Sequence, residues 1–400
     1  MRRLASMIFG AVLLGAASFG AAAQIDVMTQ NQYIGADLTP VFDAAIAVPF
    51  DPDAFNDAIV STLKAIAATR PADRVRALVA EIAQRNPDVV GLQEMYTLVC
   101  LPFPGVPPAP GIGCDDPEIR AAFIDHLADT YAALEGKYVI AGKVTDTDVA
   151  AVPFVINGIP AFVSLADRDA ILVRAGLAAS WVDFGALGAC LKPSDQGCNY
   201  LTAPPPLLTP VGSIALERGF LAVDVTVKGQ VYRVFNTHLE QRLLAPSLPE
   251  TRLLQVGQAW ELAGTALGTW DGIRKMVVVG DFNSAPEDTI PVPPYPATLP
   301  GTTLPSIPPY AVFVATGFTD AWTLRPQADA GFTCCQAEDL TNRTSSLDER
   351  IDMIFTLPRP LRVLDMKVIG DSMGDKTLPP GYGGLWPSDH AALAARLQFD

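Results

Sequence analysis

Short apolar runs in this chain repeatedly end in polar residues, and this habit constrains the fold more than any other feature. Asp88-Val89-Val90-Gly91-Leu92-Gln93-Glu94 follows the helix stop Pro87 and reads as a buried strand that ends in two polar side chains. A strand over Ile25–Met28 leads into Thr29-Gln30-Asn31. The run Val231–Asn236 continues into Asn236-Thr237-His238-Leu239, and Met276–Gly280 into Gly280-Asp281-Phe282-Asn283. Near the C-terminus the order is reversed: Ser388-Asp389-His390 precedes the apolar run Ala391–Leu397, and Glu349-Arg350-Ile351-Asp352 opens the run Arg350–Phe355.

Helical periodicity lies between these runs. Val75, Leu78, Val79 and Ile82 fall at i, i+3, i+4 and i+7 within Ala72–Arg85, with Pro71 suited to the first turn. A second helix is expected over Glu118–Leu134, its inner stripe formed by Ile119, Phe123 and Leu127, with His126 beside it as a structural histidine. A third carries Leu253, Val256, Trp260 and Ala263. Further strands are expected at Ala170–Arg174 and Leu221–Val227. Alternating strands and helices predict an α/β protein, and closely spaced strands predict some antiparallel pairing.

Stretches 101–113, 203–212 and 291–309 are rich in proline and apolar residues. They read as surface loops of one domain over 24–400, because the polar clusters on both sides belong together. Such loops either decorate the surface or form an apolar rim facing the substrate.

Residues 1–23 stand apart. Met1-Arg2-Arg3 precedes an apolar, small-residue run to about Ala21, and Ala21-Ala22-Ala23 offers a cleavage site before Gln24. This is the pattern of a secretory signal peptide, with an uncleaved anchor as the alternative. A periplasmic or extracellular mature chain without an integral membrane segment is expected, as a monomer. Half of the residues are apolar and 18% charged, which excludes a disordered protein. The formal charge is −15, and −17 once Arg2 and Arg3 are removed. Such a surface repels nucleic-acid phosphates.

Six cysteines in an exported chain suggest disulfides. Local pairing of Cys100 with Cys114 and of Cys190 with Cys198 is the simplest arrangement. The adjacent Cys334 and Cys335 bond to each other or pair elsewhere. The CxxC spacing of a structural zinc site is absent.

Taken in order, the polar clusters resemble those of the endonuclease/exonuclease/phosphatase superfamily, from about Ile25 to His390. The resemblance implies a four-layer sandwich, two mixed β-sheets packed face to face with helices outside, and a catalytic edge built from strand ends. It implies hydrolysis of a phosphoester with the help of a divalent cation, Mg2+ with Mn2+ or Ca2+ as alternatives. Hard cations of this kind take oxygen ligands, so Glu94, helped by Asn31 and Asp389, is the expected metal set.

By the same resemblance His390 is the general base, since imidazole titrates near working pH. Asp352 accepts a hydrogen bond from that imidazole. Asp281 and Asn283 face the attacking water and the phosphoryl oxygens, on one side of an extended chain. His238 contacts the phosphate in the transition state. Asp320 caps or turns a strand end. Asp169 and Arg174 flank a strand similar to the family's central one, with Arg174 a candidate phosphate contact. No tyrosine is assigned to the phosphate pocket.

The expected activity is therefore that of an exported metal-dependent phosphoester hydrolase: a phosphodiesterase, a nuclease or a phosphatase. Its substrate is a lipid headgroup, a small phosphoester or nucleic acid, and the absence of a basic stripe with interleaved aromatics weighs against the last. A non-catalytic exported binding protein retaining the fold is the alternative from another class.

Overall fold

The computed structural model of the protein describes residues 23–107, 109–210, 212–242, 251–288, 297–378 and 383–400. The expected signal peptide lies outside the described residues apart from Ala23, as do 291–296 of the third proline-rich stretch.

Strand β1 (Ala23–Asn31) is followed by three helices, α1 (Thr39–Ile46), α2 (Pro52–Ala68) and α3 (Pro71–Arg85). Next come β2 (Val89–Gln93), β3 (Thr97–Pro102), α4 (His126–Ala133) and a long hairpin of β4 (Tyr138–Ile156) and β5 (Ile159–Arg174). Strands β6 (Gly219–Val227) and β7 (Gln230–His238) precede α5 (Thr251–Gly268), β8 (Lys275–Asp281) and α6 (Pro309–Ala315). The chain closes with β9 (Asp352–Leu357), β10 (Arg362–Ile369) and β11 (Ala392–Phe399).

These strands form two large mixed sheets. One has the order β10-β11-β1-β2-β5-β3, with β4 also on β5; the other runs β9-β8-β7-β6, extended by short strands at both ends. Side-chain alternation builds the layers. Val27 and Val89 of the first sheet meet Val223, Val234 and Val277 of the second in one core. Their chain neighbours Met28 and Val90 point outward onto Val75, Val79 and Ile82 of α3. Met276 and Val278, on the other side of the second sheet, pack on Ala259 and Leu262 of α5. Helices therefore cover both outer faces, giving the expected α/β sandwich.

Among the described residues two pairings are parallel, β1 with β2 and β7 with β8. In register, Asn31 lies opposite Gln93 and His238 opposite Asp281. The antiparallel β9 begins at the same edge, where Asp352 lies opposite Asp281. This is why polar clusters follow some runs and precede others: C-termini of parallel strands and N-termini of their antiparallel neighbours share one rim.

Several elements differ from the sequence reading. The helix expected over Glu118–Leu134 is a 3-10 turn at Arg120–Ala122 and then α4. The chain is extended at Phe123, and Asp125 restarts the helix by accepting the Ala128 N–H at 2.9 Å. The strand expected at Ala170–Arg174 is only the end of the 16-residue β5. The stretch 203–212 enters a short strand pair, Leu207–Thr209 with Gly212–Ile214. Disulfides join Cys100 to Cys114, Cys190 to Cys198, and Cys334 to Cys335. Among the described residues no helix is long and apolar enough to cross a membrane.

Candidate active site

At the shared rim the structure brings together seven of the eight residues expected from the sequence in one bonded or electrostatic network, with Asn283 at its border. His390 Nδ1 lies 2.8 Å from Asp352 Oδ2. Its Nε2 faces Asp281 Oδ2 at 3.7 Å, and His238 Nε2 approaches the same oxygen at 3.5 Å. Asn31 Nδ2 donates to Asp281 Oδ2 at 3.1 Å and to Glu94 Oε1 at 3.0 Å, linking the two carboxylates. Ser388 Oγ donates to the Asn31 carbonyl at 2.8 Å and accepts from the His390 N–H at 3.1 Å, which fixes the loop carrying Asp389 and His390.

Asn283 is oriented differently from the expectation. Its φ of +47° turns the chain out of the extended form, so it does not share a face with Asp281. Its Nδ2 donates to the Leu239 carbonyl at 2.9 Å, and its backbone N–H holds Asp281 Oδ1 at 2.8 Å. In this arrangement Asn283 positions Asp281.

Burial alone would lower the His390 imidazole, but Asp352, Asp281 and Asp389 outweigh it and hold its pKa well above the ordinary value. His238 goes the other way: burial, then Arg218, then His390 push it well below. Burial, opposed by His390 and aided by Asp352, raises Asp281 to about 7. Glu94 is raised by burial and then by the Asp389 charge.

Sequence reasoning missed Arg218. Its Nη1 contacts His238 Nδ1 at 3.0 Å, with Asp167 at 3.4 Å and Glu240 at 3.8 Å holding the guanidinium. A guanidinium only donates, so Nδ1 is the acceptor and the His238 proton sits on Nε2. That nitrogen is buried without a hydrogen-bond partner in the protein. Nothing local to the Arg218 sequence signals the contact, which forms across β6 and β7.

Tyr96, two residues beyond Glu94, is a buried tyrosine that the sequence reading did not single out. It lines a cavity of about 140 Å³ with Glu94, Asp167, Glu217, Arg218 and Glu240. Arg174 does not reach this rim: it pairs with Asp88 at the opposite end of β2. Asp169 is fully buried, with neither carboxylate oxygen hydrogen-bonded. Asp320 accepts from the Trp322 N–H at 3.0 Å and pairs with Arg350 at 2.7 Å, a structural role near the start of β9.

The rim suits a hard divalent cation. Glu94 and Asp389 are mutually repelling, buried or half-buried carboxylates with the Asn31 amide between Glu94 and Asp281. Asp281, Asp352 and His390 place ligand atoms within 4.8 Å of one another, and Asp352 Oδ1 is buried without a partner. An oxygen-dominated donor set with surplus negative charge matches that chemistry.

The endonuclease/exonuclease/phosphatase family model matches residues 65–390. No match to a curated protein was found. Among solved structures, the chain is similar to an endonuclease/exonuclease/phosphatase from Beutenbergia cavernae (19% identity, 94% of this chain and 72% of that one, TM-score 0.46). It is also similar to a family protein from Bacteroides thetaiotaomicron (16% identity, 95% and 99%, TM-score 0.49). A third is D. rerio TDP2 complexed with a single-strand DNA product (14% identity, 94% and 99%, TM-score 0.43). With the family model covering more than three quarters of its length, the chain belongs to the endonuclease/exonuclease/phosphatase family, whose members are generally divalent-metal-dependent phosphoester hydrolases.

Proposed function

We propose that this protein is an exported, Mg2+-dependent phosphodiesterase acting on small phosphodiesters, with Mn2+ or Ca2+ as alternative ions. The observation that carries the reading is the convergence of His390–Asp352, His238 and Asp281 on one buried rim.

In this reading His390, in its neutral form, takes a proton from water at Nε2 while Asp352 holds Nδ1–H. Asp281 orients that water, and the backbone of Asn283 keeps Asp281 in place. His238 donates from Nε2 to a phosphoryl oxygen as negative charge develops there, its tautomer held by Arg218. Water attacks phosphorus, the bond to the ester oxygen opposite breaks, and the departing alkoxide takes a proton from solvent, to which His390 later returns its own. Glu94, Asn31 and Asp389 would hold the cation, which supplies charge neutralisation at the phosphoryl group.

The cavity favours a small or lipid-derived diester over a polyanion. Its described charged lining residues are Asp37, Glu94, Asp167, Glu217 and Glu240 against the single cation Arg218. A long phosphate chain meets net repulsion there. Residues 1–23 act as a cleaved export signal in this proposal, so mature protein would begin at Gln24.

The test is hydrolysis of bis(4-nitrophenyl) phosphate in magnesium, with and without chelator, by the parent and by His390→Ala. Metal-dependent turnover lost in the variant supports the reading. Folded, magnesium-binding protein that turns over no phosphoester would instead favour a binding protein retaining the fold.

A further inference from the structure

A second cavity of different character adjoins the acid-lined one. It measures about 80 Å³ and is walled by α1, α2 and the hairpin of β4 and β5, with Ala45, Ile59, Leu63, Val152 and Val163 on its surface. Thr62 and Ser164 are the only polar side chains among its described lining residues. Ile34, Leu38, Phe42 and Leu165 belong to the walls of both cavities. The backbone N–H of Ile34 donates to Glu94 Oε2 at 3.2 Å, so one residue touches the metal-binding carboxylate and the apolar chamber together. The chain that follows the proline-rich stretch 203–212 runs to the same place: Ile214 lines the apolar chamber, and Leu216 to Arg218 line the polar one.

We propose that the apolar chamber takes a short aliphatic ester arm of the substrate while its phosphate lies at Glu94 and His390. The preferred substrate class is then an alkyl or acyl-bearing phosphodiester. The inference rests on the hydrolytic reading above. Specific ligand sites combine an apolar wall with a few placed polar groups, and the paired cavities have that composition. An apolar cavity of about 150 Å³ accepts benzene, so one of this smaller size selects a chain over a ring.

The experiment compares 4-nitrophenyl methyl phosphate with 4-nitrophenyl butyl phosphate in magnesium. The parent should favour the butyl ester in kcat/KM by up to about fiftyfold, as full burial of the three added methylenes implies. Val163→Phe, which fills the chamber, should remove that preference and leave the methyl ester rate unchanged. Ala45→Leu on α1 is a second filling variant should the first fail to fold. Equal kcat/KM for the two esters in the folded parent overturns the proposal while leaving phosphodiesterase activity standing.

Calorimetric binding of methyl and butyl phosphate in magnesium separates the two readings. Tighter butyl binding, lost in Val163→Phe, supports the chamber even if neither ester is hydrolysed, which sinks the hydrolytic reading alone. Equal binding of the two overturns the chamber.

Discussion

His390 Nδ1 and Asp352 Oδ2, 38 positions apart in sequence and carried by different sheets, lie 2.8 Å from one another at the rim of the sandwich. A carboxylate in this position fixes which imidazole nitrogen carries the proton and supports the imidazolium that forms during proton transfer. We expect Asp352→Asn to lower kcat roughly a thousandfold or more, by analogy with loss of the orienting carboxylate in other histidine-based sites. Circular dichroism should be unchanged. Retention of full activity by the folded variant would remove the dyad from the mechanism.

Arg218 predicts a more selective defect. Replacement by Gln leaves the His238 ring in place but frees its tautomer, so kcat should fall by about a hundredfold, the scale of losing one transition-state donor. Imidazole 15N shifts provide the direct readout: His238 is the Nε2–H tautomer in the parent and a mixture in the variant. A single unchanged tautomer in both would show that Arg218 does not set it.

Three histidines make proton linkage measurable. Burial, then Arg74, depresses His126 to about 3, so the unfolded chain binds a proton there that the folded one refuses. Stability is therefore lost as pH falls from about 6.5 towards 3, at up to ~1.4 kcal/mol per pH unit. Buried Asp167 and Asp281, raised to about 7, act oppositely: their contribution is lost as pH rises. Urea unfolding of the parent and of His126→Gln at several pH values isolates the histidine. Identical pH slopes would contradict its neutral burial.

Magnesium should raise the thermal midpoint of the folded parent, because a ligand that binds only the native state stabilises it by mass action. Glu94→Gln should lose most of that shift, and calorimetric titration should show weakened binding. A full shift in Glu94→Gln would move the metal site elsewhere.

Backbone geometry supplies one more prediction. Gly280 has φ +148°, and a Cβ there would lie 2.1 Å from the Thr237 carbonyl oxygen of the neighbouring strand. Gly280→Ala should destabilise the protein by about 3 kcal/mol or more, since the clash is with backbone and cannot be relieved by a rotamer change. A denaturation midpoint equal to that of the parent would refute this.

The polar strand ends were readable because reactive carboxylates, amides and imidazoles stand out beside uninterrupted apolar runs. The layered fold followed from the family resemblance those ends carry. The β4–β5 hairpin was not read, although Asn157-Gly158 is a strong turn signal and both residues take positive φ. Its alternation is broken by irregularities at Ile140/Gly142, Thr145/Thr147 and Val149/Val152, which hide the two-residue period. Asn283 misled because a spacing of two implies a shared face only while the chain stays extended. Arg218 was invisible because its role is defined by a residue 20 positions away and by buried Asp167.

Asn236 sits on β7 yet donates to the carbonyls of Leu92 and Ala170 on the opposing sheet, at 2.9 and 3.1 Å. Asn31, Glu94, Asp389 and His390 ride on the first sheet, and His238, Asp281 and Asp352 on the second. The proposed reactive centre is thus a seam, and Asn236 is a fastener between the two sheets. The 2.8 Å contact between His390 and Asp352 crosses that seam, so it depends on the register of one sheet against the other. Catalytic competence in such a protein reports the alignment of its two halves, and neither half alone contains a working fraction of it.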